Sequence, residues 1–307
     1  MRNQFSKTIY DIGRNDEKIA VVVADISPAG SMDQFRKECP DRFISTGVAE
    51  QIMIGLCAGM ALRGMRPFAY TIATFSLYRP FEFIRDDLCY QNLPVTVVGI
   101  GGGVTYSPLG GTHHTMEDIA VASAIPNMQI IAPCDPDEVT QATLWCAKEN
   151  KGPVYLRLGK AGEPNLTEYA VDPFQMGKIR YIRKGKDTCI LSYGPIVKMA
   201  LDIADSLETQ RNETVSVVSC HTLKPLDKEG IVKALQSHKN VIVIEEHVPH
   251  GGLGSRVKEI AWDIKANCNL HTYSLKDEFI HTYGTHEELL AAHGLSKEIV
   301  CKDMLCA

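Results

Sequence analysis

The chain lacks any Cys-x-x-Cys pair, although ten cysteines are scattered along its 307 residues. That scatter reads as reduced thiols and not as a metal or disulfide framework. Cys57 and Cys189 lie inside apolar runs, where a thiol behaves as a small hydrophobe. No apolar run reaches the length of a membrane span; the longest, Ile52 to Leu62, is too short and is interrupted by glycines. Met1 to Lys7 lacks the apolar core of a secretory signal. These absences predict a cytoplasmic protein. Positive charge is not in excess either. Lys and Arg number 32 against 37 Asp and Glu, a net charge of −5 with both signs interspersed. No basic stripe or amphipathic patch predicts nucleic acid or a membrane surface as partner. Internal repeats and low-complexity tracts are absent.

What is present is ordinary globular composition, 45% hydrophobic and 22% charged, and enough length for about two domains. Short apolar runs alternate with longer helical patterns. The run 18–25 predicts a buried strand, and 49–63 a helix apolar nearly all round, which needs cover on most sides. Strands are predicted at 66–74, 94–101, 128–133 and 153–159, with helices at 80–92, 116–124 and 135–150 between them. Such alternation means a mostly parallel sheet with right-handed crossovers. Prolines and charges break the rhythm over 161–175. A second alternating series follows, with strands at 188–193, 214–219, 240–245 and 269–275. Its helices are predicted at 195–210, 228–238, 253–265 and 286–293. The fold class is therefore α/β in two domains, 1–165 and 176–307, joined by a linker over 166–175.

Glu50 stands at the junction of a strand and the apolar helix, in Ser45-Thr46-Gly47-Val48-Ala49-Glu50-Gln51. A first-turn glutamate can simply face the helix dipole. Here, however, an aromatic set (Phe75, Tyr78, Phe81) and the glycine-flanked pair His113-His114 follow it in fixed order, a reason to suspect thiamine diphosphate chemistry. That chemistry needs a carboxylate on the far nitrogen of the cofactor's aminopyrimidine, apolar and aromatic walls to keep water out, and a proton-transfer group. The protein supplies placement and electrostatics, and the cofactor the rest.

These residues, with Ala24-Asp25-Ile26, Gly159-Lys160, Lys224-Pro225-Leu226-Asp227, Glu245-Glu246-His247 and Gly251-Gly252-Leu253-Gly254-Ser255, resemble the transketolase family over nearly the whole chain. The match is to the pyrimidine-binding and C-terminal domains, as in the smaller subunit of split bacterial transketolases. The resemblance implies that Glu50 activates the cofactor and that Ile26 supports its bent form. It puts Phe75, Tyr78 and Phe81 around the aminopyrimidine, with Tyr78 stacking, and makes His113 the proton-transfer residue at the substrate oxygen. His114 replaces the family's usual glutamine, so either histidine could serve. The family holds Mg²⁺ and the diphosphate through a Gly-Asp-Gly motif that does not occur in this sequence. The resemblance thus implies an N-terminal transketolase subunit as partner, in a heterotetramer of two copies of each chain. The Gly101-Gly102-Gly103 run lacks the spacing of a phosphate loop.

Several substrate-facing positions depart from the family pattern. Leu109 stands where an aspartate reads donor hydroxyls, Gly101 where a histidine meets sugar phosphate, and Ala29 where a serine contacts phosphate, though Ser31 is near. Lys160 keeps a cation, and Arg157 and Arg85 are further candidates. Losing charge-assisted contacts, each contributing about 1.5–3 kcal/mol, weakens phosphate binding. The expected activity is transfer of a two-carbon ketol unit between sugar-type substrates other than the standard pentose phosphates, modified, unphosphorylated or nucleotide-linked. Left open are the beta subunit of a 2-oxo acid dehydrogenase, another carboligase such as deoxyxylulose-phosphate synthase, and a non-catalytic paralogue.

Overall fold

The computed structural model describes residues 1–24, 26 and 31–306. The first domain is built on mostly apolar strands, buried on both faces at the sheet centre as parallel strands under helices are, and partly exposed at Phe43–Ser45. They are β1 (Ile19–Val23), β2 (Phe43–Ser45), β3 (Arg66–Ile72), β4 (Thr96–Ile100), β5 (Gln129–Ile131) and β6 (Val154–Leu158). Their spatial order is β5-β6-β4-β3-β1-β2, and every pairing is parallel. Around them lie α1 (Arg2–Gly13), α2 (Ser31–Glu38), α3 (Glu50–Leu62), α4 (Ala73–Leu77), α5 (Phe81–Phe83), α6 (Asp118–Ala124) and α7 (Pro136–Lys148). Helix α5 runs into a π-helical stretch, Ile84–Tyr90.

The second domain holds β7 (Arg180–Arg183), β8 (Thr188–Ser192), β9 (Val215–Ser219), β11 (Asn240–Ile244) and β12 (Asn269–Tyr273). Their order is β12-β11-β8-β9-β7, with only the β7–β9 pair antiparallel. Its helices are α8 (Val197–Arg211), α9 (Lys228–Ser237), α10 (Leu253–Asp263), α11 (His286–Ala292) and α12 (Lys297–Cys306). The remaining strand, β10 (Thr222–Lys224), leaves its own domain. It pairs antiparallel with β5 and becomes the seventh strand of the first sheet. The linker is also pinned: the Asp135 carboxylate caps α7 and accepts from the backbone N–H groups of Leu166 and Thr167, both at 2.8 Å.

A buried polar seam locks the two domains together. Asp118, at the start of α6, accepts from Arg157 Nε at 2.8 Å and from the Tyr155 hydroxyl at 2.8 Å. Arg157 Nη2 then donates to the Glu246 carbonyl at 3.1 Å. The Glu246 carboxylate accepts from the Val104 N–H at 2.5 Å and meets His286 Nε2 at 2.8 Å. Burial pushes its pKa up, but His286, Arg157 and the Val104 N–H outweigh this and hold it below the usual carboxylate value. Glu245 caps α10, accepting from the N–H groups of Leu253 at 2.7 Å and Gly254 at 2.8 Å. Lys224 donates to the carbonyls of Ser123 at 2.8 Å and Ile125 at 2.5 Å, closing the end of α6. The two second-domain motifs thus hold helix ends and the domain seam within one chain.

Helix α3 is partly bare. Met53, Ile54, Cys57 and Ala58 face the core, whereas Ile52 is 63% exposed on the other side. Gly55 and Gly59, one turn apart on that side, would meet nothing within 4 Å if given a Cβ.

Candidate active site

The carboxyl ends of parallel strands open onto a crevice where α/β proteins bind ligands, because the connecting loops diverge there. Five connections of the first domain deliver side chains to it. The chain leaving β1 carries Ile26, and that leaving β2 turns at Gly47 into α3, so that Glu50 is its first residue. β3 leads into α4 with Phe75, β4 into the loop bearing Tyr106 and His113, and β6 into Lys160.

These side chains form a continuous wall. Glu50 is only 3% exposed, yet its Oε1 accepts from Arg79 Nη1 at 2.7 Å. The Arg79 guanidinium carbon lies 3.8 Å from the Phe75 ring centroid. Phe75 meets the His113 ring edge-on at 5.1 Å and 67°. His113 lies 6.2 Å from Tyr106, over which Lys160 Nζ stands at 5.3 Å. The Thr112 hydroxyl hydrogen-bonds His113 Nδ1 at 2.9 Å and holds the ring from that side.

The His113 pKa lies below 6.5, first because the ring is desolvated and second because of the Arg79 charge. That direction favours the neutral imidazole, the form that accepts a proton. An NMR titration is expected to give His113 a midpoint below that of a free histidine, and Arg79→Met is expected to raise it. A midpoint unmoved by that substitution would remove Arg79 as a cause.

His114 is 4% exposed, and among the described residues neither ring nitrogen has a hydrogen-bond partner. Desolvation lowers its pKa too. Of the adjacent histidines, His113 is the one that meets Phe75 and Tyr106. Phe75 joins the wall, but Tyr78 and Phe81 pack against the core, and the Tyr78 hydroxyl is buried near Asp118 and Glu117. Pro80 separates α4 from α5, so the three aromatics do not share one helical face. Ile26 packs on the core beside β1. Leu109 is half exposed on a short turn just before Gly110.

Two expected cations go elsewhere. Arg157 is 3% exposed and committed to Asp118 and the domain seam, so it is no substrate ligand in this chain. Arg85 pairs with Glu82 and Asp86 on an exposed surface. Ala29 and the side chain of Ser31 lie outside the described residues.

Two wall residues, Arg79 and Tyr106, were not foreseen. A signal for Tyr106 exists in the Gly101 to Gly103 run. A Cβ on Gly101 would collide with the Tyr106 ring, one on Gly102 with Arg157 at 2.7 Å, and one on Gly103 with Glu246. The glycines therefore serve close packing, and Tyr106 fills the space beside position 101. Gly101 also has φ +78°, unfavourable for other residues. Gly101→Ala is expected to destabilise the chain by about 1–3 kcal/mol in urea unfolding. Adding Tyr106→Ala removes the collision and is expected to recover part of that loss.

Comparison with known proteins agrees with this geometry. Residues 1–163 match the family described as the transketolase pyrimidine binding domain, and residues 177–300 the transketolase C-terminal domain. One of the subunits of the apulose-4-phosphate transketolase of Phocaeicola vulgatus is 34% identical over 258 residues, 84% of this chain and 82% of that protein. The 1-deoxy-D-xylulose-5-phosphate synthase of Clostridium perfringens is 30% identical over 276 residues, 90% of this chain but 44% of that enzyme. A solved structure described as a split gene transketolase, inactive beta4 tetramer, superposes with a TM-score of 0.86 at 32% identity, covering 100% of this chain and 97% of that one.

Proposed function

Because the chain belongs to the transketolase family, a thiamine-diphosphate-dependent family, we propose that it is the pyrimidine-binding subunit of a split transketolase-like transferase. In this reading it transfers a two-carbon ketol unit between sugar-type substrates. The observation that carries it is the buried Glu50 carboxylate at the head of α3, linked through Arg79 to the Phe75 ring, which in turn meets His113. A buried acceptor close to an aromatic face suits an aminopyrimidine whose ring nitrogen carries a proton, so the residues fit that half of the cofactor. Thiamine diphosphate, when bound, supplies the nucleophilic carbon and the electron sink for C–C cleavage.

The chain's own residues do the rest. Glu50 would share a hydrogen bond with the ring nitrogen, accepting when that nitrogen carries the proton, in a site dry enough to keep the bond strong. Phe75 walls the crevice against water. His113, held by Thr112 and with its neutral form favoured, moves the proton at the substrate oxygen. Lys160 faces the anionic end of the substrate.

The partner is an N-terminal transketolase subunit, which in this reading holds Mg²⁺ and the diphosphate. Among the described residues no three His, Cys, Asp or Glu side chains converge where a metal ion could be held. Support for the partner comes from the bare face of α3, where Ile52, Gly55 and Gly59 offer a flat apolar strip, and from the Phocaeicola vulgatus relative, whose name makes it one subunit of a larger enzyme. The proposed assembly has two copies of each chain. Among the described residues no helix is long and apolar enough to cross a membrane, and the proposed setting is the cytoplasm.

The substrate is proposed to differ from the standard pentose phosphates. This rests on Leu109 and on Gly101, beside which Tyr106 occupies the space for a polar side chain. Calorimetric titration of thiamine diphosphate with Mg²⁺ into the chain, and into its mixture with the partner, tests the assembly. Binding in the mixture alone is the expected result, and tight binding to the lone chain would overturn it. Ordinary transketolase efficiency on xylulose 5-phosphate and ribose 5-phosphate would overturn the substrate reading.

A further inference from the structure

We propose that Arg79 is a built-in stand-in for the cofactor's pyrimidine ring, seated on Glu50 and Phe75 until the ring displaces it. This rests on the cofactor reading above. The guanidinium is planar, donates N–H to carboxylates and stacks on aromatic faces, and an aminopyrimidine whose ring nitrogen carries a proton presents the same flat face and an N–H to the carboxylate. In this chain it uses all three. Nη1 donates to Glu50 Oε1 at 2.7 Å, and the guanidinium carbon lies 3.8 Å from the Phe75 centroid. The layering is also informative. Glu50 is 4% exposed at its side chain and Arg79 44%, so the guanidinium lies on the solvent side of the carboxylate, across the route by which a ring would arrive. The backbone is held from Gln51, whose side-chain amide donates to the Arg79 carbonyl at 3.4 Å.

One carboxylate oxygen and one ring face cannot serve the guanidinium and a pyrimidine together, so the two compete. The stand-in keeps a buried carboxylate paired when the crevice is empty, which avoids the cost of an unpaired buried charge. Its hold is weak, because a half-exposed ion pair and a surface cation–π contact each contribute little. Release therefore reduces cofactor affinity only modestly. It also takes a cation away from His113, whose ring lies 5.1 Å from the Phe75 ring that Arg79 covers.

The test uses thiamine, which has the pyrimidine but no diphosphate, titrated into the wild-type, Arg79→Met, Arg79→Lys and Glu50→Gln chains, each alone and with the partner subunit. The expected result is that Arg79→Met binds thiamine on the order of ten-fold more tightly than wild type. Arg79→Lys, charged but not planar, is expected to fall between them, and Glu50→Gln to lose binding. In the wild type, thiamine is expected to shift the Arg79 Nε–H resonance toward that of a free side chain. Equal affinity of wild type and Arg79→Met, with Glu50→Gln still impaired, overturns the stand-in and leaves the cofactor reading intact. Weaker binding by Arg79→Met also overturns it, making Arg79 a cofactor ligand. Thiamine binding by none of the chains, in either setting, overturns the proposal together with the reading beneath it. Cooperative urea unfolding of each variant confirms that the comparison is between folded chains.

Discussion

Alanine in place of Glu50 is expected to lower the turnover of the assembled enzyme by about 10²–10⁴-fold, the range of a positioned proton-transfer group. The same substitution is expected to change the stability of the chain by no more than about 1 kcal/mol. The two effects separate because of where the carboxylate sits. Its one ionic partner, Arg79, is half exposed, and such pairs contribute about 0–1 kcal/mol. Its place in the first turn of α3 adds about 0.3–1 kcal/mol through the helix dipole, offset by removing a carboxylate that is costly to bury. Steady-state kinetics of the complex and urea unfolding of the chain measure the two quantities. Unchanged turnover would remove Glu50 from the chemistry. A loss of activity matched by a large loss of stability would make it a structural residue.

Asp118→Ala is expected to do the reverse, destabilising the chain by about 3–5 kcal/mol, because it leaves the buried Arg157 guanidinium without its ion-pair partner. Arg157 is 3% exposed and touches both domains, through Asp118 at 2.8 Å and the Glu246 carbonyl at 3.1 Å. The substitution also orphans the Tyr155 hydroxyl. Replacing the pair together, Asp118→Leu with Arg157→Met, removes both charges and is expected to recover most of the loss. A shift of the urea midpoint equivalent to under 1 kcal/mol in Asp118→Ala would show the pair to be solvated.

Much of the fold was legible because the signals were local. The run from Ile19 to Val23 can only be a buried strand, and Ile203 and Leu207 mark the buried face of α8. Elements that were not foreseen depend on distant partners. Strand β10 is three residues long and exists because β5 offers a free edge, while β2 is a three-residue strand paired to β1. Helix α1 went unread although Phe5, Ile9 and Ile12 recur at helical spacing on its buried face. The site divides in the same way. Glu50, Phe75, His113 and Lys160 lie in recognisable runs, and the structure gathers them on one wall. Arg157 looked like a substrate ligand because its sequence neighbours do not reveal Asp118, which lies 39 positions away. Arg79 was hidden for the opposite reason: an arginine in an exposed turn carries no message until Glu50 and Phe75 are found on either side of it.

The strand that crosses from one domain to the other has a consequence for how this chain can be divided. Cleaving or re-engineering it within 166–175 would take β10 away and leave the backbone donors and acceptors of β5 open at the sheet margin, where another molecule's strand could add. A gene fragment encoding the first domain alone would therefore give a product prone to edge-to-edge association. The two domains are separate in sequence but form one indivisible unit of assembly, and swaps between relatives have to carry both.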